Sequence, residues 1–124
     1  MLPFSAIQDF KTSLLSLWQP EMERCGVILQ GVSVEKPNRS PAPNDNFEFL
    51  REDLEGTEAT WHTHPSGQGN LSIADYGFFK SWPSHLHFII SETEVRCYGV
   101  VEATVRNVDD QEDYSAWLLG QAAP

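Results

Sequence analysis

Ala59-Thr60-Trp61-His62-Thr63-His64-Pro65-Ser66-Gly67-Gln68-Gly69-Asn70-Leu71-Ser72-Ile73-Ala74-Asp75 reads as a strand, a break and the start of a helix. Residues two apart on a strand point to the same face, so a strand over Ala59–His64 presents the imidazoles of His62 and His64 together. Pro65 ends that strand because it has no N–H to give to a ladder. Ser66 to Asn70 is Gly-rich and polar and reads as a loop, with Ser66 and Gly67 shaping the turn beside the histidines. Ser72 followed three residues later by Asp75 is close to a capping box, which starts a helix and sets Asp75 in its first turn. From there its carboxylate can swing back toward the histidines. Two imidazoles and one carboxylate leave a fourth tetrahedral position for water, the pattern of a catalytic zinc site and not of a closed structural one. Neither half carries the argument alone. A His-x-His on a strand is commonly incidental, and Ser72-x-x-Asp75 by itself is a helix cap. Their conjunction, at this spacing and with Pro65 between them, points to a metal.

Outward from this stretch the chain alternates between helical and extended patterns. Phe4, Ile7, Phe10, Leu14, Leu17 and Trp18 recur at spacings of three and four, the packing stripe of one helix, which Pro20 limits. Cys25–Gly31 followed by Val32 and Val34 reads as two strands of a hairpin or meander. Pro37 to Asn46 holds three prolines and three asparagines and is a loop. Phe47 and Phe49 alternate around Glu48 as a short strand, and Arg51–Glu55 forms a helical turn. The helix from Ser72 ends before Pro83. Leu86–Ile90 is an apolar strand, Val95–Val101 is its neighbour across a short turn, and Tyr114–Leu119 suggests a terminal helix. On this reading Trp61 points away from the histidines, into the core or onto a helix. The order of elements argues for an α/β fold with a central sheet.

The 124 residues suit one domain, taken here as residues 1–124, and a chain of this size buries about 65% of its unfolded surface on one core. With 18 acidic against 8 basic side chains the net charge is −10, and no basic run offers a footprint for nucleic acid. Cys25 and Cys97, the only two cysteines, suit a reducing compartment better than a disulfide scaffold. Met1–Trp18 carries Asp9 and Lys11 and lacks a basic leader, and no apolar run reaches 18 residues. The expectation is a cytoplasmic protein with no membrane segment.

Hydrolysis at a zinc site also needs a base, because a carboxylate must take the proton of the attacking water and pass it to the leaving group. Glu23, just before the Cys25 strand, is the candidate, but spacing alone does not separate it from Glu21, Glu48 or Glu58.

His62-x-His64-Pro65, six residues, then Ser72-x-x-Asp75 resembles the JAMM motif of the JAB/MPN-plus metalloproteases. Glu23-x-x-Gly26, with an apolar strand running to Gly31, is similar to the upstream segment that carries that family's general base. Asn38 after Pro37, and Phe47-Glu48-Phe49, look like the connecting region of prokaryotic members. The likeness runs from about Glu23 to Val101 with no departure at the five functional positions, and it is strongest to minimal JAB domains of bacteria and of phage tail-assembly proteins.

The resemblance implies a single MPN (JAB) domain, with a mixed central β-sheet flanked by helices in a cytidine-deaminase-like architecture. It implies one Zn2+ on His62, His64 and Asp75, Glu23 as general base and then acid, and Ser72 as donor to the oxyanion. The activity it implies is that of a deubiquitinase-like peptidase or isopeptidase. Its partner would be a ubiquitin-like or sulfur-carrier β-grasp protein, cut after the C-terminal glycine. Two other readings share the fold: a phage-tail or cell-envelope peptidase, and an inactive MPN scaffold for protein interaction. A zinc nucleoside deaminase fails, since it wants His-x-Glu and Pro-Cys-x-x-Cys. The second His-x-His, His85 and His87, lacks the Pro and the Ser-x-x-Asp and reads as packing or surface. Cys25 could in principle be a nucleophile, but a small buried strand cysteine accounts for it better.

Overall fold

A computed structural model describes residues 2–43, 46–66 and 69–122. Asn44 and Asp45 of the proline-rich loop, and Gly67 and Gln68 after Pro65, lie outside the described residues.

The apolar stripe near the start forms α1 (Phe4–Ser13), which tightens into a 3-10 turn over Leu14–Leu17 before Pro20. Two strands follow, β1 (Cys25–Leu29) and β2 (Val32–Lys36). They pair antiparallel across Gln30 and Gly31, whose φ values of 51° and 77° are the left-handed conformations that a tight hairpin turn requires. A short α2 (Arg51–Leu54) leads into β3 (Ala59–Thr63), and α3 (Ile73–Ser81) crosses over to β4 (Leu86–Ile90). The chain closes with β5 (Val95–Val101), β6 (Thr104–Asn107) and α4 (Gln111–Ala122).

These strands make one six-stranded mixed sheet in the order β2-β1-β3-β4-β5-β6. Among its pairs only β3 and β4 run parallel, because α3 returns the chain to the same end of the sheet. Both central strands are buried along their whole length, as a parallel pair covered on both faces must be. The first layer of helices, α1 and α4, packs Ile7, Leu14 and Trp117 against Ile28, Trp61 and Phe88. On the opposite face α3 packs Phe79 against Ile89 and Tyr98. A fully buried side chain of this size contributes about 1.5–3 kcal/mol, so the larger first cluster supplies most of the apolar stabilisation. Trp61 lies in that cluster, on the face away from the histidines, as its position on the strand requires. Gly26 lies directly under the Trp61 ring, where a Cβ would collide with the indole and with the Val34 carbonyl.

Two expectations need correction. Phe47–Phe49 is extended but joins no sheet; Glu48 instead gives its carbonyl to the Arg39 N–H and its N–H to the Asn38 side chain. The edge strand β6 was not foreseen, for Thr-Val-Arg-Asn carries a single apolar residue and its turn, Glu102-Ala103, contains neither Gly nor Asn. No helix among the described residues is long and apolar enough to cross a membrane.

Candidate metal centre

The C-terminal edge of the parallel pair, where open α/β sheets commonly bind ligands, is where the sequence motif converges. His62 sits within β3 and His64 one residue beyond it. The ladder continues past the strand: His64 gives its N–H to the Ile90 carbonyl (2.9 Å), and its own carbonyl accepts the indole N–H of Trp18 (2.8 Å). Both backbone polar groups of His64 are therefore tied, which fixes the direction of its imidazole. Trp18, read from periodicity as the end of a helical stripe, lies just past the 3-10 turn in extended backbone, and periodicity gave no sign of this second role.

Asp75 is held by the cap. Ser72 is the N-cap of α3: its backbone N–H donates to Asp75 Oδ2 (2.9 Å), and its Oγ accepts the Asp75 N–H (3.1 Å). The carboxylate so oriented lies 3.0 Å from His62 Nε2 through Oδ1 and 3.4 Å from His64 Nε2 through Oδ2, and the two Nε2 atoms are 3.2 Å apart. Two ligand atoms each about 2.0–2.1 Å from a tetrahedral zinc stand about 3.3 Å from one another. The two imidazole nitrogens have about that spacing, and one ligand atom from each of the three residues lies within 4.8 Å of the others. Among the described residues this is the group of three whose ligand atoms could hold a metal ion, and all three side chains are buried.

The protonation states fit a cation as well. Burial pushes His62 below the ordinary histidine range, partly offset by its hydrogen bond to Asp75. Burial opposes the charge on Asp75, but the two imidazoles and the Ser72 N–H more than compensate and hold its carboxyl far below the usual range. Neutral imidazole and ionised carboxylate are the forms that ligate metal. His62 Nδ1 is buried with no hydrogen-bond partner among the described residues, so the polar contacts of that ring run through Nε2 into the site. Its face is covered by Phe47, stacked at a centroid distance of 4.2 Å.

The sheet register sets the backbone of Glu23 beside this centre. Cys25 pairs with His62, and Arg24 accepts the Thr63 N–H, so one further step sets Glu23 opposite His64. Its backbone is pinned on both sides, with its N–H donated to Pro43 (2.8 Å) and its carbonyl accepting from Asn38 Nδ2 (2.9 Å). Glu23, Asn46, His64, Ser72 and Asp75 line one cleft of about 560 Å³. The rival carboxylates stand elsewhere. Glu21 is exposed and lines none of this cleft. Glu58 binds the Gly31 N–H (2.7 Å) at the far hairpin, and Glu48 faces a neighbouring pocket. Cys25 is buried, with its thiol pushed up to about 12 by burial and by Glu35, Glu23 and Asp53. A thiol so protonated is no nucleophile at neutral pH.

The second His-x-His is packing. His87 Nε2 lies 3.0 Å from the Trp82 carbonyl and must donate there, which leaves Nδ1 to accept from the Thr60 hydroxyl (2.7 Å). His85 Nε2 contacts Thr57 Oγ1 (2.9 Å) and the Leu54 carbonyl (3.3 Å). No family model matches this chain, and no curated protein matches it.

Proposed function

We propose that this chain is a zinc-dependent peptidase of the JAMM type, built on a minimal MPN (JAB) domain with a cytidine-deaminase-like architecture. The observation that carries the reading is the meeting of five side chains from three separate segments. Glu23 precedes β1, His62 lies in β3 and His64 just past it, and Ser72 and Asp75 open α3; four of the five line one cleft, and His62 is buried behind it against Asp75. An N/O donor set of two imidazoles and one carboxylate suits Zn2+ with one position left open.

His62, His64 and Asp75 would hold the ion. When bound, it supplies a Lewis acid that polarises a carbonyl and lowers the pKa of a water to about 7. The remaining chemistry belongs to this chain. Glu23 accepts a proton from the attacking water as the new C–O bond forms, then delivers it to the amine nitrogen as the C–N bond breaks. Ser72 Oγ uses a lone pair to accept the Asp75 N–H, so its own O–H can donate to the oxyanion developing on the carbonyl oxygen. Loss of such a donor lowers the rate about 10²–10³-fold. The substrate class this reading carries is a ubiquitin-like or sulfur-carrier β-grasp protein, cut after its C-terminal glycine as peptide or isopeptide.

The test is incubation of zinc-loaded protein with β-grasp substrates bearing Gly-Gly tails, linear and lysine-linked, beside a Glu23→Ala control. Cleavage after the glycine that disappears with chelator and in the control supports the reading. Full activity in metal-free protein would sink it. Bound zinc without cleavage would turn the assignment toward a phage-type peptidase or an inactive scaffold.

A further inference from the structure

A second pocket of about 400 Å³ adjoins the metal centre and shares Asn46, Ala74 and Asp75 with the catalytic cleft. Phe47, Phe49, Leu50, Leu54, Phe78 and Trp82 give it an aromatic and aliphatic side, which faces the polar groups of Asn46, Glu48, Arg51 and Asp75. The rings are packed on one another, with Phe47 edge-on to Phe78 (5.3 Å) and to Phe49 (5.4 Å), so the walls are preformed. Leu50 is 40% exposed at this opening. Arg51 lies over the Trp82 ring at 5.3 Å, and Glu48 and Asp75 are the other charged groups of the lining. Pockets of roughly 300–1,000 Å³ lined mainly by apolar side chains, with a few polar groups, are the form that ligand sites take.

From this continuity we infer that the pocket is a specificity site for an uncharged apolar side chain, aromatic or leucine, of the residue next to the scissile bond. The inference rests on the metallopeptidase reading above. With glycine on the acyl side of the cut, the side chain belongs to the residue on the leaving-amine side, and the substrate is a linear polypeptide in which an apolar residue follows the glycine. A lysine would have to share the Trp82 face with Arg51, which already covers it, whereas an apolar side chain meets the phenylalanine rings. Phe47 forms the wall between pocket and metal ligand, stacked on His62 on one side and edge-on to Phe78 on the other. A ligand in the pocket therefore perturbs the His62 ring.

The experiment uses the full-length Glu23→Gln protein, which leaves peptides intact, and three probes: acetyl-Gly-Gly-Phe-Gly-amide and its analogues with Ala or Lys in place of Phe. Affinity is read by calorimetry, the His62 ring signals by NMR, and zinc binding by a separate titration. The Phe peptide is expected to bind about tenfold or more tightly than the Ala peptide, and to shift the His62 signals. That preference is expected to vanish in Trp82→Ala and in Leu50→Glu, with zinc affinity unchanged. Leu50 is at the surface, so its substitution separates a lost pocket from a lost fold. Equal binding of all three peptides by a protein that binds zinc overturns the pocket and leaves the metallopeptidase reading standing. So does a Phe preference that survives both substitutions. Failure to bind zinc overturns the reading beneath it instead.

Discussion

The chain carries His-x-His twice, at His62/His64 and at His85/His87, with His62 and His87 on adjacent parallel strands of one sheet face, and the two pairs behave as different chemistry. His62 and His64 turn Nε2 toward an ionised carboxylate at the mouth of a cleft. His85 turns its Nε2 toward the Thr57 hydroxyl and the Leu54 carbonyl, and His87 turns its own toward the Trp82 carbonyl. A carbonyl can only accept, so it fixes a proton on the imidazole and closes that nitrogen to metal. A carboxylate is a ligand in its own right. The difference teaches that spacing supplies the imidazoles but the third partner decides their use, and that partner comes with the helix cap.

The largest effect tests what the first pair has and the second lacks, a carboxylate positioned across the cleft. Glu23→Gln keeps the shape and removes the proposed base, so on the peptidase reading kcat on a cleavable Gly-Gly substrate should fall about 10²–10⁴-fold. Zinc affinity, read by calorimetry, should stay where it was. A variant that retains its turnover would mean that Glu23 is only a wall of the cleft.

Next in size is the third member of the trio, the proposed carboxylate ligand. Asp75→Asn removes the anion while keeping the side-chain volume. Its effect on zinc affinity should exceed the 10–100-fold that follows loss of an outer-shell partner, so a drop of more than about 100-fold is expected. His87→Leu, one strand away, should leave zinc affinity within about twofold. Comparable losses in the two variants would break the distinction between the pairs.

The second pair should announce itself by acid sensitivity. Burial lowers His87 to about 3; its bond to the Trp82 carbonyl opposes this, and His85 and His62 add to it. An unfolded histidine takes up its proton near pH 6.5. Between those values the unfolded state binds the extra proton, so stability is complete above about pH 6.5 and is lost as the pH falls toward 3. The slope is about 1.4 kcal/mol per pH unit. Denaturant melts of metal-free protein at pH 7 and pH 5 should therefore differ by about 2 kcal/mol from this group. In His87→Leu that part of the slope should be gone.

What the sequence made legible follows from which signals are local. Pro65 ending a strand, Ser72-x-x-Asp75 opening a helix and the alternation of β3 are all decided within a turn or two of chain, and the structure has each where the pattern put it. The choice of Glu23 over Glu21, Glu48 and Glu58 was not legible by spacing, because it depends on the pairing of β1 with β3 and on the register that brings Glu23 beside His64. Phe47 and Phe49 alternate like a strand, yet their rings find partners in Phe78 and His62 and not in a ladder. Gly26 looked like one letter of a motif, and its reason is the Trp61 ring packed where a Cβ would be. In each case a long-range contact decides where the side chain sits.

Trp18 is the clearest instance and gives the smallest predicted effect. Its ring packs with the core, which accounts for its place in the helical stripe, while its N–H reaches the carbonyl of His64. Trp18→Phe keeps most of the packing and removes the donor. A hydrogen bond of this kind contributes about 0.5–1.5 kcal/mol, so stability should fall by about 1 kcal/mol. If the bond also orients the ligand, zinc affinity should fall about fivefold with it. The matched change at the other pair is Thr60→Val, which takes the hydroxyl from His87 Nδ1 and leaves a buried acceptor unsatisfied. That variant should lose about 1–3 kcal/mol of stability and none of its zinc affinity. Melting curves and zinc titrations on the two variants separate a bond that holds up the fold from one that also aims a ligand. Equal zinc affinity in both would reduce Trp18 to packing, and the aim of His64 would then owe nothing to the bond on its carbonyl.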